Sequence, residues 1–342
     1  MKAIGYTDSL PISEADSLVE FDAPMPDAGP DDVLVKVCAI SVNPVDYKIR
    51  MRRAPDDGSH AILGWDAVGE VITVGANVTE YAPGDRVFYA GDLNRPGSNA
   101  EFQAVDARIV GRKPTSLTDA QAAALPLTAI TAWELLFEHL GIARRGEPTR
   151  LGMPESVLVI GAAGGVGSIL IQLIKTLTDA TVIATASRPA SAEWVRALGA
   201  DHVITHREPL APQIDALAVA PITGIASLNA TEAYFDDYPE ILAPFGRIAM
   251  IDDPEGALNV MALKPRSQSL HIEFMFARSM FETQDIAAQR HLLNEVSALV
   301  DQGKIKTTVG EHLGQINAAN LRKAHAELES GKAIGKFVLE GF

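Results

Sequence analysis

A short apolar run, a glycine-rich turn and an amphipathic run follow one another without interruption in VLVIGAAGGVGSILIQLIK, residues 157–175. This order predicts a strand, a tight turn and a helix, with glycines spaced three residues apart in the turn. Glycines there let the backbone amides at the helix start approach a pyrophosphate, whose charge the helix dipole stabilises. With the flanking strand and helix, this pattern favours a dinucleotide site over a turn that uses glycine for geometry alone. The predicted contacts are Gly161, Gly164, Gly165, Val166 and Gly167.

The chain on either side of this turn divides into two textures. Before residue 126, short β-branched runs such as DDVLVKVCAISVN are separated by Gly, Pro, Asp and Asn, as in a small barrel or sandwich. From residue 126, apolar strands and amphipathic helices alternate, which predicts an α/β fold with a parallel sheet. Between the two, TDAQAAALPLTAITAWELLFEHL predicts two helices that begin at Thr118-Asp119 and are divided at Pro126.

The strand after the glycine turn distinguishes NAD from NADP. Chains that bind NAD usually place Asp or Glu at the end of this strand, where it accepts hydrogen bonds from the ribose. Here TVIATASRPAS ends in Ser187 and Arg188, with no acid. Ser187 can donate a hydrogen bond to a 2′-phosphate, and Arg188 can pair with it or stack on adenine. We therefore predict NADP(H). The alternative is that Arg188 is an ordinary solvated residue after a strand.

Composition narrows the choice of partners. The 342 residues include 29 Lys and Arg against 44 Asp and Glu, a formal net charge of −15. Such a surface repels phosphate backbones and anionic lipid, so nucleic acid and membranes are not expected partners. We expect no signal peptide or membrane span, and hence a cytoplasmic protein. The single cysteine, Cys38, excludes an intrachain disulfide and is expected to be inert packing.

Several motifs spread over the chain resemble those of the medium-chain dehydrogenase/reductase superfamily. They are VLVKVCAISVNPVDYKIR, ILGWDAVGEVITVGANV, PGDRVFY, LTAITAWELL, VLVIGAAGGVGS and AIGKFVLE. The resemblance is narrower to the quinone oxidoreductase branch, including bacterial zinc-type alcohol dehydrogenase-like proteins. It implies a GroES-like β-barrel catalytic domain over residues 1–125 and 274–342, and a Rossmann NADP-binding domain, a doubly wound parallel sheet, over residues 126–273. It also implies a homodimer.

The same resemblance raises the question of zinc. Zinc members of the superfamily bind the catalytic metal with a Cys, a His and a Cys or Asp, and these positions fall here on Asn43, Trp65 and Leu127. An amide, an indole and an alkyl chain provide no set of strong zinc ligands. The four cysteines of the structural zinc lobe are also missing, and the eight histidines show no metal-binding spacing. We therefore predict no metal site.

The resemblance implies which residues surround the nicotinamide. It places Asn43 as a donor to the acceptor's carbonyl oxygen, Asp46 as a residue that orients its neighbours, and Thr131 next to the nicotinamide. Lys48 stands where zinc relatives often have a proton-relay histidine, which leaves the proton donor open between a side chain and water. The alternative for Asp46 is that it caps a helix beginning in NPVDYKIR. The full predicted catalytic set is Asn43, Asp46, Tyr47, Lys48 and Trp65.

These residues together predict a function. Without zinc, an alcohol lacks the Lewis acid that lowers its pKa, whereas a quinone or an α,β-unsaturated carbonyl accepts hydride more easily. We therefore predict a zinc-independent reductase that transfers hydride from NADPH to a quinone or enone. The alternatives are a zinc-dependent alcohol dehydrogenase and a protein that binds NADPH as a sensor or structural component without turnover.

Overall fold

The computed structural model describes all 342 residues, which form two compact units. The first unit comprises Met1–Ile130, Phe276–Gly303 and Thr307–Phe342, and the second comprises Thr131–Met275 and Lys304–Lys306. The predicted α/β fold class is confirmed, because a strand-rich unit and a parallel sheet flanked by helices are both present.

The helices and strands are named here in chain order. The chain begins with β1 (Lys2–Tyr6), β2 (Val19–Asp22), β3 (Asp32–Val42), α1 (Pro44–Arg52), β4 (Ala61–Ile62), β5 (Ala67–Val74), β6 (Arg86–Tyr89), β7 (Phe102–Asp106), β8 (Val110–Arg112), α2 (Asp119–Ala123) and α3 (Pro126–Trp133). It continues with β9 (Ser156–Ile160), α4 (Gly165–Leu177), β10 (Thr181–Thr185), α5 (Pro189–Ala197), β11 (His202–Ile204), α6 (Leu210–Ala216), β12 (Ile222–Ser227), α7 (Thr231–Tyr234), α8 (Tyr238–Ile241), β13 (Leu242–Met250) and β14 (Ser269–Ile272). It ends with α9 (Ala277–Met280), α10 (Ala288–Asp301), β15 (Val309–His312), α11 (Ala318–Glu329) and β16 (Lys336–Glu340).

Strand β3 organises the first unit. It pairs with β5 along one side, and its other side is shared between β7, opposite residues 32–36, and β16, opposite residues 39–42. The valines Val33 and Val35 are fully buried, as expected for a central strand with neighbours on both sides. The register with β16 places Phe337 opposite Val42, which brings the start of the last strand to the end of β3.

The second unit is a six-stranded parallel sheet. Its strand order is β11-β10-β9-β12-β13-β14, so the order reverses between β9 and β12. Ligands of open α/β sheets bind outside the carboxyl ends of the strands at such a reversal. The glycine turn follows β9 directly and therefore lies at this position.

The helical stretch Asp119–His139 matches the two helices predicted before and after Pro126. The side chain of Thr118 caps the first helix by accepting a hydrogen bond from the backbone N–H of Gln121, and Pro126 is the first residue of the second helix. The stretch continues as a π-helix over Glu134–His139. The whole stretch Asp119–His139 has 21 residues, and by length and composition alone it could cross a membrane. However, 89% of its most apolar part is buried inside the protein.

Candidate functional site

The glycine turn begins at a position that only glycine adopts readily. Gly161 follows the last residue of β9 with a φ of +73°, and its N–H donates to Thr185 Oγ1 at 3.2 Å. A Cβ at Gly161 would lie 2.4 Å from Asn229 Oδ1. Both the backbone conformation and the neighbouring side chain therefore require glycine here.

The start of α4 packs tightly against the same turn. Gly164 precedes the helix as its N-cap, and Gly165 and Val166 form the half-buried first residues. A Cβ at Gly167 would lie 2.4 Å from the backbone oxygen of Ala162, so the helix can approach the turn only if this residue has no side chain. The N–H groups of the first helical turn have no partner within the helix, so they are available to an anion at this end.

Positive side chains gather at the carboxyl ends of the next two strands. Ser187 and Arg188 follow β10 and are half-buried. Because Thr185 pairs with Ile204, the residues after β11 emerge at the same edge of the sheet. His206 has its pKa lowered by burial and by the positive charges of Arg207 and Arg188, which shows that the three groups are neighbours.

His206 and Arg207 were missed by the sequence analysis. The signal that identifies them is topological, because parallel neighbouring strands end at one edge and His206 and Arg207 directly follow the strand beside β10. With Arg188 they form what we call the cationic edge, whose positive charge comes from the two arginines, since the lowered pKa of His206 favours its neutral form. The positive charge of Arg188 and Arg207 suits a phosphate group.

Asn43 and Lys336 belong to a fully buried polar cluster in the first unit. Asn43 Oδ1 accepts a hydrogen bond from Lys336 Nζ, and Asn43 Nδ2 donates to Asp66 Oδ2 at 2.9 Å. The same Nδ2 lies 3.4 Å from the carbonyl oxygens of Ser41 and Trp65. The amide is thus engaged at both ends within the protein, and the role of Asn43 as a donor to an acceptor's carbonyl oxygen stays a prediction.

Asp66 is the centre of this cluster and has no exposed surface. Its Oδ2 lies 2.9 Å from Lys336 Nζ, and its Oδ1 accepts from the Leu127 N–H at 2.7 Å. Burial raises the pKa of the Asp66 carboxyl, while Lys336 and the hydrogen bonds lower it. The ammonium and the carboxylate therefore compensate each other's removal from water.

Asp46 caps the helix α1. Its carboxylate accepts a hydrogen bond from the Asn43 N–H at 2.7 Å, and Pro44 is the first helical residue. The capping alternative for Asp46 is therefore present in the structure. Burial raises the pKa of Asp46 to about 7, against the opposing effects of the hydrogen bond and of Lys336. Tyr47 and Lys48 follow on the same helix and are half-buried.

The three positions that correspond to zinc ligands in the superfamily converge on this cluster, but they do not fit a metal. Asn43 binds Lys336 and Asp66, Leu127 contributes only its backbone N–H, and Trp65 contributes its carbonyl oxygen. No group of three His, Cys, Asp or Glu side chains in the protein is arranged to hold a metal ion. The cation of the cluster is the Lys336 ammonium, which donates to Asn43 and Asp66.

Trp65 forms one wall of a cavity in the first unit. The indole is 3% exposed, its Nε1 donates to the Asp92 carbonyl at 3.2 Å, and Phe276 packs edge-on against it. The cavity has a volume of about 280 Å³ and is also lined by Tyr6, Ile49, Leu93 and polar residues that include Ser59 and Asn94. We call it the Trp65 cavity.

The predicted site residues fall into separate groups. Trp65 lines the Trp65 cavity, whereas Asn43, Asp46, Tyr47 and Lys48 are not among its lining residues. Asn43 and Asp46 are instead joined by hydrogen bonds within the buried cluster around Asp66. Thr131, on α3, is 5% exposed. It belongs to the second unit, as do the glycine turn and the cationic edge.

Two segments of the chain match known families. Residues 29–115 match the alcohol dehydrogenase GroES-like domain, and residues 198–339 match a family described as zinc-binding dehydrogenase. A zinc-type alcohol dehydrogenase-like protein of Staphylococcus aureus is 37% identical over 99% of this chain and 99% of its own length. A proposed zinc-dependent alcohol dehydrogenase from Rhizobium etli is 49% identical and has a TM-score of 0.96, over 100% of this chain and 98% of its own.

Other relatives have names that state a reaction or a ligand. A 2-methylene-furan-3-one reductase of Solanum lycopersicum is 29% identical over 99% of this chain and 79% of its own length. The quinone oxidoreductase of Coxiella burnetii is 26% identical with a TM-score of 0.80, over 99% of both chains. A mycobacterial protein solved in complex with NADPH is 27% identical with a TM-score of 0.81, over 99% of this chain and 100% of its own.

Proposed function

The chain belongs to the medium-chain dehydrogenase/reductase superfamily and is an oxidoreductase, and from that premise we propose that it transfers hydride from NADPH to a quinone or an α,β-unsaturated carbonyl without zinc. The observation that carries the proposal is the combination of a glycine turn at the reversal of strand order with a cationic edge beside it. The relatives named as a furanone reductase, a quinone oxidoreductase and an NADPH complex support the same choice.

We assign the parts of NADPH to residues of the second unit. The N–H groups at the start of α4 bind the pyrophosphate, for which Gly164 keeps the space clear. Gly161 and Gly167 allow the turn and its close contact with the helix. Ser187 and Arg188, with His206 and Arg207 beside them, bind the 2′-phosphate. When bound, NADPH supplies the hydride.

We assign the acceptor to the Trp65 cavity. Its indole wall suits a flat, conjugated ring or alkene, because aromatic surfaces pack well on one another. Hydride addition to an enone leaves an enolate, which takes up one proton from water, since Tyr47 and Lys48 of α1 do not line the cavity. Because the zinc-ligand positions hold Asn43, Trp65 and Leu127, we draw no step through a metal.

The experiment that tests this function measures NADPH consumption with a panel of quinones and enones, together with the metal content of the purified protein. We expect turnover with one or both acceptor classes, no oxidation of simple alcohols and no bound zinc. Tightly bound stoichiometric zinc would refute the metal-free mechanism. NADPH binding without oxidation of any acceptor would instead indicate a sensor or structural protein.

Arg188→Ala is expected to weaken NADPH binding by about 10- to 100-fold and to leave NADH binding nearly unchanged, because a charge-assisted hydrogen bond contributes about 1.5–3 kcal/mol. Titration calorimetry with both cofactors measures the difference. Arg196→Ala is the matched control, since Arg196 is exposed on the same helix and its removal changes the net charge equally. An equal loss of affinity for NADPH and NADH in Arg188→Ala would contradict the assignment.

A further inference from the structure

A second cavity lies beside the Trp65 cavity in the first unit. Its volume is about 330 Å³, and it extends along the segment from Ala23 to Asp27 and along β7. Ile62, Arg95 and Pro96 line both cavities, so these three residues form a common wall. We call this second space the β7 cavity.

The β7 cavity is lined mainly by apolar groups. Its walls include Met1, Ala23, Met25, Phe102 and Ala104. Two cations belong to the lining, and both have partners. The terminal nitrogens of Arg95 bond the carboxylate of Asp32 at 2.8 and 2.7 Å, and the Met1 ammonium donates to the Ala23 carbonyl at 2.8 Å. Since Asp27, the acid of the lining, is exposed to solvent, the apolar groups that make up most of the lining favour an uncharged occupant.

Each of the two adjoining cavities is small for a ligand pocket. Pockets for small molecules usually measure roughly 300–1,000 Å³. The Trp65 cavity, at about 280 Å³, falls below that range and the β7 cavity, at about 330 Å³, falls at its lower end. A molecule with a conjugated head and an apolar tail would use both.

We propose that the β7 cavity is a tail subsite, which binds an alkyl or prenyl chain carried by a quinone or enone whose reactive head lies in the Trp65 cavity. This inference rests on the proposed function. It specifies the substrate class: the acceptor is a tailed molecule, bound by its chain as well as by its conjugated ring or alkene.

A series of acceptors with one head and different tails tests the proposal. With methyl, pentyl and nonyl vinyl ketones, we expect KM to fall at least about tenfold from the shortest to the longest tail, since burial of roughly two methylene groups gives that factor. Ala104→Phe should fill the β7 cavity, because Ala104 is half-buried on β7 and phenylalanine suits a strand. It should raise KM for the nonyl ketone about tenfold and leave KM for the methyl ketone unchanged.

Two further variants control for indirect effects. Ala76→Phe adds the same side chain at an exposed position that lines neither cavity, and should change no KM. Met25→Ser removes an apolar wall from a residue that is 52% exposed, so the fold is not at risk. It should weaken selectively the binding of the nonyl ketone, and it keeps the test valid if Ala104→Phe fails to fold.

A binding measurement separates this inference from the proposed function. Ethyl nonyl ketone is saturated and accepts no hydride at a conjugated alkene, so its binding can be followed by calorimetry whether or not the protein has reductase activity. Binding that Ala104→Phe abolishes supports the tail subsite even if no acceptor is reduced. A KM independent of tail length, or an equal effect of Ala104→Phe on short and long tails, would overturn it.

Discussion

Lys336→Met is expected to lower the free energy of unfolding by about 3–5 kcal/mol, because it leaves a buried carboxylate without its counter-ion. Asp66 has no exposed surface, and Lys336 Nζ lies 2.9 Å from its Oδ2. Chemical denaturation measures the change. The double variant Lys336→Met/Asp66→Asn should recover much of the loss, since it removes both charges and retains an acceptor for the Leu127 N–H.

The matched control is Lys323→Met. Lys323 pairs with Glu311 at 3.2 Å, but both side chains are more than half exposed. Its removal should cost at most about 1 kcal/mol. If Lys336→Met has no larger effect than this control, the buried cluster does not stabilise the first unit as the geometry indicates.

The loss in Lys336→Met should also depend on pH. Burial already raises the pKa of Asp66 above its ordinary value of 3.8, and removal of the lysine takes away the largest opposing effect. A carboxyl whose pKa is higher in the folded than in the unfolded protein destabilises the fold above the folded pKa, and this penalty vanishes below the unfolded pKa. The difference between the variant and the original protein should therefore shrink as the pH falls towards 4, near the ordinary aspartate value.

Gly167→Ala is expected to lower both the stability of the protein and its affinity for NADPH. The added methyl group would lie 2.4 Å from the Ala162 oxygen and 2.6 Å from its carbonyl carbon, which are backbone atoms that cannot move aside alone. Overpacking of this kind costs about 1–3 kcal/mol. The shift of the helix start should also move the N–H donors away from the pyrophosphate, and we expect at least about a tenfold loss of affinity.

Gly164→Ala separates the two effects. Gly164 has a φ of −74°, and a Cβ there would meet nothing closer than the Gly161 oxygen at 3.5 Å. The free energy of unfolding of Gly164→Ala should therefore stay close to that of the original protein. Its affinity for NADPH should fall, because the methyl group occupies space that the pyrophosphate needs. Unchanged NADPH affinity in Gly164→Ala would show that the cofactor does not bind at this turn.

Much of the fold could be predicted from local patterns. The glycine turn lies between β9 and α4, and the two helices of the apolar stretch begin after Thr118 and at Pro126. These features depend on residues close in sequence, such as a cap, a proline ring or a glycine without a side chain. The predicted superfamily and fold class are confirmed. They too could be predicted from local patterns, because the motifs that indicate them are short and contiguous.

The site was predicted less completely. Trp65 lines a cavity, and Asn43, which was predicted as a donor to the acceptor, has hydrogen bonds with Lys336 and Asp66 that the sequence did not indicate. Lys336 is 293 residues from Asn43 along the chain, and only the pairing of β16 with the end of β3 brings them together. His206 and Arg207 were missed because their proximity to Arg188 depends on which strand lies beside β10.

The sequence by itself determined the elements whose physics is local: the glycine turn, the helix caps, the alternation of strands and helices, and the absence of zinc-binding side chains at three expected positions. Only the tertiary structure decided that Asn43 binds the Lys336 ammonium, which residues form the cationic edge, and where the two cavities share a wall. The reason is that strand register and neighbouring loops set these contacts, and register depends on pairing between segments far apart in the chain.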